Sequence, residues 1–259
     1  SISTCLNIYG QSEKTDSLII VLKTAKDDTN KVKLLINLAW EYFNRDISSA
    51  YKTSLKVIEL STKLNYTTGL IEWNNLAGNI YGNRAIFDSA LMYFYQNIRI
   101  CQKTKNKRGL SNTYNNIGIV YDTKGIIDSS LIYYDKTLKI DIELGDKKSL
   151  SGTYFGIGNA YQSMGNYKVA LDNFFKSLKL KEEVCDESGL SELYMSIGNL
   201  YYHQKKYNEA LDYYKKSELI KIKLNDKYGL SGIYINLGNI YTDNKDSANA
   251  FLYLNKSLI

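Results

Sequence analysis

Asparagine is the residue whose placement most invites chemistry in this sequence. It stands at Asn79, Asn159, Asn199 and Asn239, each time directly after a glycine, in a forty-residue frame that Ile119 interrupts. Asn75, Asn115, Asn116 and Asn236 lie about one helical turn from that row. Asn is a mediocre helix former, so its repeated use inside a helix needs a reason. Its amide both donates and accepts. Amides at regular spacing can hold the backbone of an extended peptide without reading its side chains. They can equally bond a neighbouring helix and order the stack, because a buried amide needs a partner. The sequence leaves both uses open.

Other chemistry finds little support. A single histidine, His203, argues against a multi-His metal site or a Ser-His-Asp triad, and reads as a surface residue. Three cysteines with no close pair give no disulfide framework, so Cys101 and Cys185 are expected as free thiols. Gly156-Ile157-Gly158 begins like a dinucleotide loop, but Tyr161 takes the place of the third glycine and no strand precedes it. Lys136, Lys176, Lys216 and Lys256 form a row at the same forty-residue interval, expected as a solvated outer face. A net charge of +6 over 259 residues does not by itself imply nucleic acid. With no nucleophile, base and orienting group gathered in one place, the expectation is no enzyme activity, no metal and no cofactor in this stretch.

The elements that must carry these residues follow from composition and repetition. Proline is absent, 44% of residues are hydrophobic and 23% charged. That composition favours an all-helical, folded chain. The longest apolar run, within Ser17–Leu22, is too short to cross a bilayer. Gly78, Gly118, Gly158, Gly198 and Gly238 recur every forty residues, as do Tyr81, Tyr121, Tyr161, Tyr201 and Tyr241. Twelve residues after each glycine comes a small residue: Ala90, Ser130, Ala170, Ala210 and Ala250. Each unit reads as two helices. Leu193, Ile197, Leu200 and Tyr201 mark the inner face of a first helix over 190–202, and a second runs from Tyr207 to Leu224. Asp146 and Asp226 suit the N-caps of the helices that follow. The small pairs are expected to let backbones approach, with large rings filling the space around them.

Tyr194-x-x-Ile197-Gly198-x-x-Tyr201, followed by Tyr207, Ala210, Tyr214 and Ser217, resembles a tetratricopeptide repeat (TPR). Tyr154, Ile157, Gly158, Tyr161, Gly165, Tyr167, Ala170, Phe174 and Ser177 match equally well. The period of forty exceeds the usual 34, and the closing proline of many such units is missing. The resemblance implies an all-α fold, a right-handed α-solenoid of antiparallel helix pairs (a TPR-like superhelix), with repeats at 31–69, 70–109, 110–149, 150–189, 190–229 and a shortened 230–259. Residues 16–30 are expected as a leading helix. Residues 1–15 are expected as the tail of a signal peptide or a disordered N-terminus. The last repeat stops within its second helix with no capping helix, so a longer natural protein is expected.

The same resemblance places the first helices of successive repeats along a concave groove and implies a protein or peptide ligand there. The expected groove residues are Asn79, Asn115, Asn116, Asn159, Asn199, Asn236, Asn239, Glu192, Tyr202 and His203. No nucleic acid and no direct membrane insertion of this stretch are expected. The opening Asp16 to Leu22, then Asp27-Asp28-Thr29 and Ala39-Trp40-Glu41-Tyr42, is similar to the sensory region of Bacteroidetes-type TPR histidine kinases and regulators. That implies an extracytoplasmic, periplasmic interaction region of a larger signalling protein. The alternative is a cytoplasmic peptide-responsive TPR regulator or a stand-alone assembly adaptor.

Overall fold

The structure, a computed structural model, describes the backbone of residues 3–43 and 45–258, and side chains from residue 14 onward with Asn44 excepted. Residues 1 and 2, the side chains of 3–13 and Ile259 lie outside the described residues; the backbone of 3–15, expected as a signal-peptide tail or a disordered N-terminus, is helical as the start of the first helix. The described residues form two compact units, 1–140 and 141–259.

Thirteen helices occur among the described residues. The first three are α1 (Ser3–Thr24), α2 (Thr29–Phe43) and α3 (Ile47–Lys63). Next come α4 (Thr67–Asn83), α5 (Phe87–Lys103), α6 (Lys107–Thr123) and α7 (Ile127–Leu144). Then follow α8 (Lys147–Ser163), α9 (Tyr167–Glu183), α10 (Glu187–His203), α11 (Tyr207–Lys223), α12 (Lys227–Asp243) and α13 (Ser247–Lys256). The architecture is the expected one: all-α, with consecutive helices packed in antiparallel pairs as in tetratricopeptide repeats. The leading helix is not the expected 16–30. It ends at Thr24, because Asp28 turns the chain and caps α2, its Oδ1 accepting from the N–H groups of Asn30 at 2.8 Å and Lys31 at 3.0 Å.

Two local devices set the twenty-residue rhythm. The first starts helices. Asn106, Asp186 and Asp226 each accept the N–H of the glycine three residues on, at 2.9, 3.0 and 2.8 Å, and Asp146 does the same for Ser149 at 3.1 Å. The Gly-Leu pairs therefore sit inside the first turn, and each first helix begins about three residues before the repeat boundary read from the sequence. The second device ends helices. Residues 65, 85, 105, 125, 145, 165, 185, 205, 225 and 245 all take positive φ, between 51° and 73°. After each, the next N–H reaches back five residues, as Asn106 does to Cys101 O at 2.9 Å. This is the Schellman closure. Only three of the ten are glycine, so seven side chains accept a left-handed backbone to keep the rhythm.

Within unit 1, Val32, Leu35, Val57 and Leu60 pack α2 on α3, and Ala39, Ala50, Leu76 and Ile80 carry the core into α4. Ala90, Phe94, Ile117 and Val120 continue it into α5 and α6. Within unit 2, Ala170 and Phe174 of α9 meet Leu193, Ile197 and Leu200 of α10, and Ala210 and Tyr214 of α11 meet Ile233 and Leu237 of α12. The repeated glycines have a more specific use than backbone approach. A Cβ on Gly78 would lie 2.4 Å from the Phe94 ring, on Gly118 2.7 Å from Tyr134, on Gly158 2.4 Å from Phe174 and on Gly198 2.6 Å from Tyr214. Each glycine seats a ring from the second helix of its own pair.

The lysine row is more than a solvated face. Lys136, Lys216 and Lys256 lie 4.6, 4.8 and 5.0 Å from the ring centroids of Tyr133, Tyr213 and Tyr253, and Lys176 lies 5.4 Å from Tyr154. Three of those tyrosines stack on the repeated tyrosine of the first helix: Tyr121–Tyr133, Tyr201–Tyr213 and Tyr241–Tyr253, with centroids 5.4–5.7 Å apart. The ammonium groups cap these stacks through cation–π attraction, worth about 0.5–1 kcal/mol each at exposed sites.

Candidate functional site

In unit 1 the asparagines of α4 and α6 come together. A recess of about 270 Å³ is lined by Asn75, Asn79, Asn112, Asn115 and Asn116, with Trp40 and Glu72 beside them. Asn75 is buried, and its Oδ1 accepts from Asn97 Nδ2 at 2.9 Å. Asn97 Nδ2 also donates to Thr113 Oγ1 at 2.9 Å, joining α4, α5 and α6. Asn79 Nδ2 donates to Asn75 O, one turn back in its own helix, at 2.8 Å. The Asn115 and Asn116 side chains make no hydrogen bond to protein among the described residues, although both are half-buried. Burial pushes the Glu72 carboxyl above its ordinary value, so this recess disfavours an anion of its own.

Asn79 and Asn116, with Asn83 and Thr123, also border a second recess of about 360 Å³, whose other walls are Phe43, Gly78, Gly82, Phe87, Phe94, Ile119 and Val120. It has more apolar walls than the first, which is amide-rich. Together the two place side-chain amides next to a hollow with several apolar walls.

Unit 2 gathers Asn199, Tyr202, His203, Asn236 and Asn239 around a recess of about 230 Å³, with Tyr214 at its base. Asn199 Oδ1 accepts from Tyr214 Oη at 2.7 Å and from Asn236 Nδ2 at 3.1 Å, so it links α10, α11 and α12. Tyr202 Oη donates to Asp243 Oδ2 at 2.8 Å. His203 is exposed, its ring stacked 6.5 Å from that of Tyr167. Asn239 is exposed and its side chain makes no protein hydrogen bond among the described residues.

Of the residues read from the sequence, eight therefore fall into two clusters, Asn79 with Asn115 and Asn116, and Asn199 with Tyr202, His203, Asn236 and Asn239. Asn159 is half-buried on α8 and Glu192 exposed on α10, and neither lines these recesses. Of the two uses left open for the amide row, ordering the stack is seen. Asn75, Asn97 and Asn199 order the stack, whereas Asn115, Asn116 and Asn239 keep free amides at its surface. Sequence reasoning missed Trp40, Asn97, Tyr214 and Gly82. For Tyr214 a signal existed: it occupies the ring position opposite Gly198, where Phe94 stands opposite Gly78.

A larger cleft of about 590 Å³ lies among α1, α2 and α3, with Leu35, Leu38 and Leu60 on its floor and lysines on its rim. It contains none of the asparagines. Rim residues Lys31 and Lys63 are paired to Asp27 at 2.9 and 3.3 Å. No described helix is long and apolar enough to cross a membrane. Among the described residues, no group of three or more His, Cys, Asp or Glu is placed to hold a metal ion.

The family model for the tetratricopeptide repeat matches residues 148–222 and 189–258. Among curated proteins no sequence matches the chain. Solved structures do. BtubC (BKLC) from P. vanneervenii aligns with TM-score 0.70 at 18% identity, covering 83% of this chain and 89% of that one. A Rap protein complexed with competence and sporulation factor gives TM-score 0.75 at 13% identity, over 94% and 78% of the two chains. Aspartyl phosphate phosphatase F from Bacillus subtilis gives 0.71 at 16% identity, over 97% and 68%. At these identities the likeness is one of fold. Residues 148–258 match the tetratricopeptide-repeat model, and helices α2 to α7 repeat the same antiparallel pairing, so the chain has a TPR-like fold.

Proposed function

We propose that this chain is a peptide-binding TPR module that holds an extended segment along the faces of its first helices and performs no chemistry itself. One observation carries the reading. In each unit, asparagines from consecutive first helices (α4 with α6, α10 with α12) line one recess, and amides at its surface have no protein partner among the described residues. A primary amide can donate to a peptide carbonyl and accept from a peptide N–H at once. A row of them supplies register without demanding a sequence.

The fold relatives support a peptide-responsive regulator or assembly adaptor more than an extracytoplasmic sensory region, since one of them was captured with a bound factor. The kinase setting keeps only the resemblance of residues 16–42. Fractionation of cells carrying the native gene separates the two settings: a soluble cytoplasmic pool fits the regulator, and a periplasmic or membrane-held pool fits the sensor.

The binding claim is tested by selecting peptides from a random display library on the purified chain, then titrating the best one calorimetrically. Asn116→Ala and Asn239→Ala are each expected to weaken it about three- to tenfold, one or two lost hydrogen bonds. Unchanged affinity in both variants removes the amide row from the account.

A further inference from the structure

Two recesses of this protein stand in the same repeat register, 120 positions apart. In unit 2 the recess is lined by Asn199, Tyr202, Tyr214 and Asn236 and holds about 230 Å³. At the corresponding positions in unit 1 stand Asn79, Gly82, Phe94 and Asn116, and the recess holds about 360 Å³. Two amide corners are kept, Asn83 stands for His203, and Ile119 replaces Asn239. The decisive difference is Gly82 for Tyr202.

Unit 2 fills its own hollow. The Tyr202 ring lies tilted against the Tyr207 ring at 5.9 Å, and its hydroxyl donates to Asp243 Oδ2 at 2.8 Å. In unit 1, Phe87 stands in the place of Tyr207 and Thr123 in the place of Asp243, and both line the recess. The aromatic wall and a polar atom for a phenol are thus retained, while the ring they would hold is not supplied by this chain. Thr123 Oγ1 donates to Ile119 O at 2.8 Å, which leaves its oxygen free to accept. Phe43 and Ile119 make the hollow more apolar still, because their counterparts in unit 2 are Ser163 and Asn239.

Packing does not demand the glycine. A Cβ on Gly82 would meet only the Ala90 Cβ and Val120 Cγ2, each at 3.9 Å, an ordinary contact. Its φ is not in the left-handed region. Glycine within a helix weakens it, so its presence here costs stability without relieving any crowding. The neighbouring Gly78 is the contrast, with a ring 2.4 Å from its Cβ position.

We propose that the unit 1 recess is an aromatic subsite: it takes the phenyl or phenol side chain of a Phe or Tyr in the bound peptide, in the place that Tyr202 occupies in unit 2. The subsite rests on the peptide-binding reading above and adds a side-chain preference to a backbone grip. Asn79 and Asn116 border it, so the ligand's main chain meets amides where its ring enters.

The test uses N-acetyl-4-fluorophenylalanine methylamide as a ¹⁹F NMR probe on the full chain, with the leucine and alanine analogues as competitors. Saturable binding is expected, with the leucine analogue at least fivefold weaker and the alanine analogue weaker still. Gly82→Tyr, which plants the protein's own ring, is expected to weaken the probe at least tenfold with the circular dichroism melt retained. Tyr202→Ala opens the second hollow and is expected to raise the stoichiometry from one to two. Absence of probe binding, binding that survives Gly82→Tyr, or equal binding of the alanine analogue overturns the proposal. Its failure is distinct from failure of the parent reading: selected long peptides that bind through Asn116 without an aromatic residue leave the peptide grip and remove the subsite. A probe that binds and needs an open Gly82, with no long peptide ever selected, leaves the subsite and removes the grip.

Discussion

Tyr214 Oη donates to Asn199 Oδ1 at 2.7 Å while the same tyrosine's ring fills the space over Gly198. One side chain thus holds a helix pair together and fixes an amide at the recess. Tyr214 is 1% exposed, so its hydroxyl has no water to fall back on. Tyr214→Phe keeps the ring and removes the donor. It is expected to cost about 1 kcal/mol in a denaturant titration, since Asn199 retains Asn236. Tyr214→Ala also empties the ring's seat and is expected to cost about 3–5 kcal/mol. Equal losses for the two variants would contradict the hydrogen bond's secondary place.

Two glycines four residues apart on α4 should respond to alanine with opposite signs. Gly78→Ala pushes a methyl into the Phe94 ring, which is itself fully buried, and is expected to destabilise by about 1–3 kcal/mol. Gly82→Ala makes only ordinary contacts with Ala90 and Val120 and removes a flexible residue from a helix. It is expected to stabilise by about 0.5–1 kcal/mol. Thermal melts of the two variants side by side check both.

Stability should fall steeply in alkali. Burial pushes the Tyr134 and Tyr214 hydroxyls well above the ordinary value of 10.0. Their folded values exceed their unfolded ones, so their contribution is complete below about pH 10 and is lost as the pH rises beyond it. The denaturation midpoint is expected to hold from pH 7 to 9 and drop above 10. In the Tyr134→Phe, Tyr214→Phe double variant the drop should be shallower, although the starting midpoint is lower.

At the acid end the N-caps matter. Burial works to raise the Asp186 carboxyl, but hydrogen bonds from the Lys181 ammonium at 2.9 Å and the Gly189 N–H at 3.0 Å, with the lysine's charge, hold it below its ordinary 3.8. Its stabilisation is present above that value and disappears as the pH falls through the lowered one. Asp186→Ala removes a cap and strands a lysine whose side chain is only 10% exposed. About 2–3 kcal/mol should be lost at neutral pH, and the variant's stability should change less than the parent's below pH 4.

The helix pairs were legible because glycine, tyrosine and a small residue recur in a fixed frame, and one cap chemistry, Asp or Asn before the first turn, starts most first helices. The amide row was legible as a set of positions but not as a set of bonds. Asn79 turns back on Asn75, whereas Asn199 is held across the pair, and the difference traces to the opposing ring: Phe94 has no hydroxyl and Tyr214 does. The lysine row was legible as an exposed face, but its seating over tyrosine rings was not, because that depends on the pitch between two helices, which no spacing rule carries. Gly82 escaped notice because the frame aligns it with Asp122, Gln162, Tyr202 and Thr242, which look like free variation until the hollow beside Gly82 is seen.

The side-chain amides themselves give the most direct test. On a selectively ¹⁵N-asparagine-labelled sample, adding a library-selected peptide is expected to shift the NH₂ signals of Asn115, Asn116 and Asn239, with smaller changes at Asn75 and Asn97, whose amides are engaged inside the protein. Shifts confined to signals outside the two recesses, with Asn115, Asn116 and Asn239 unmoved at saturation, would contradict it.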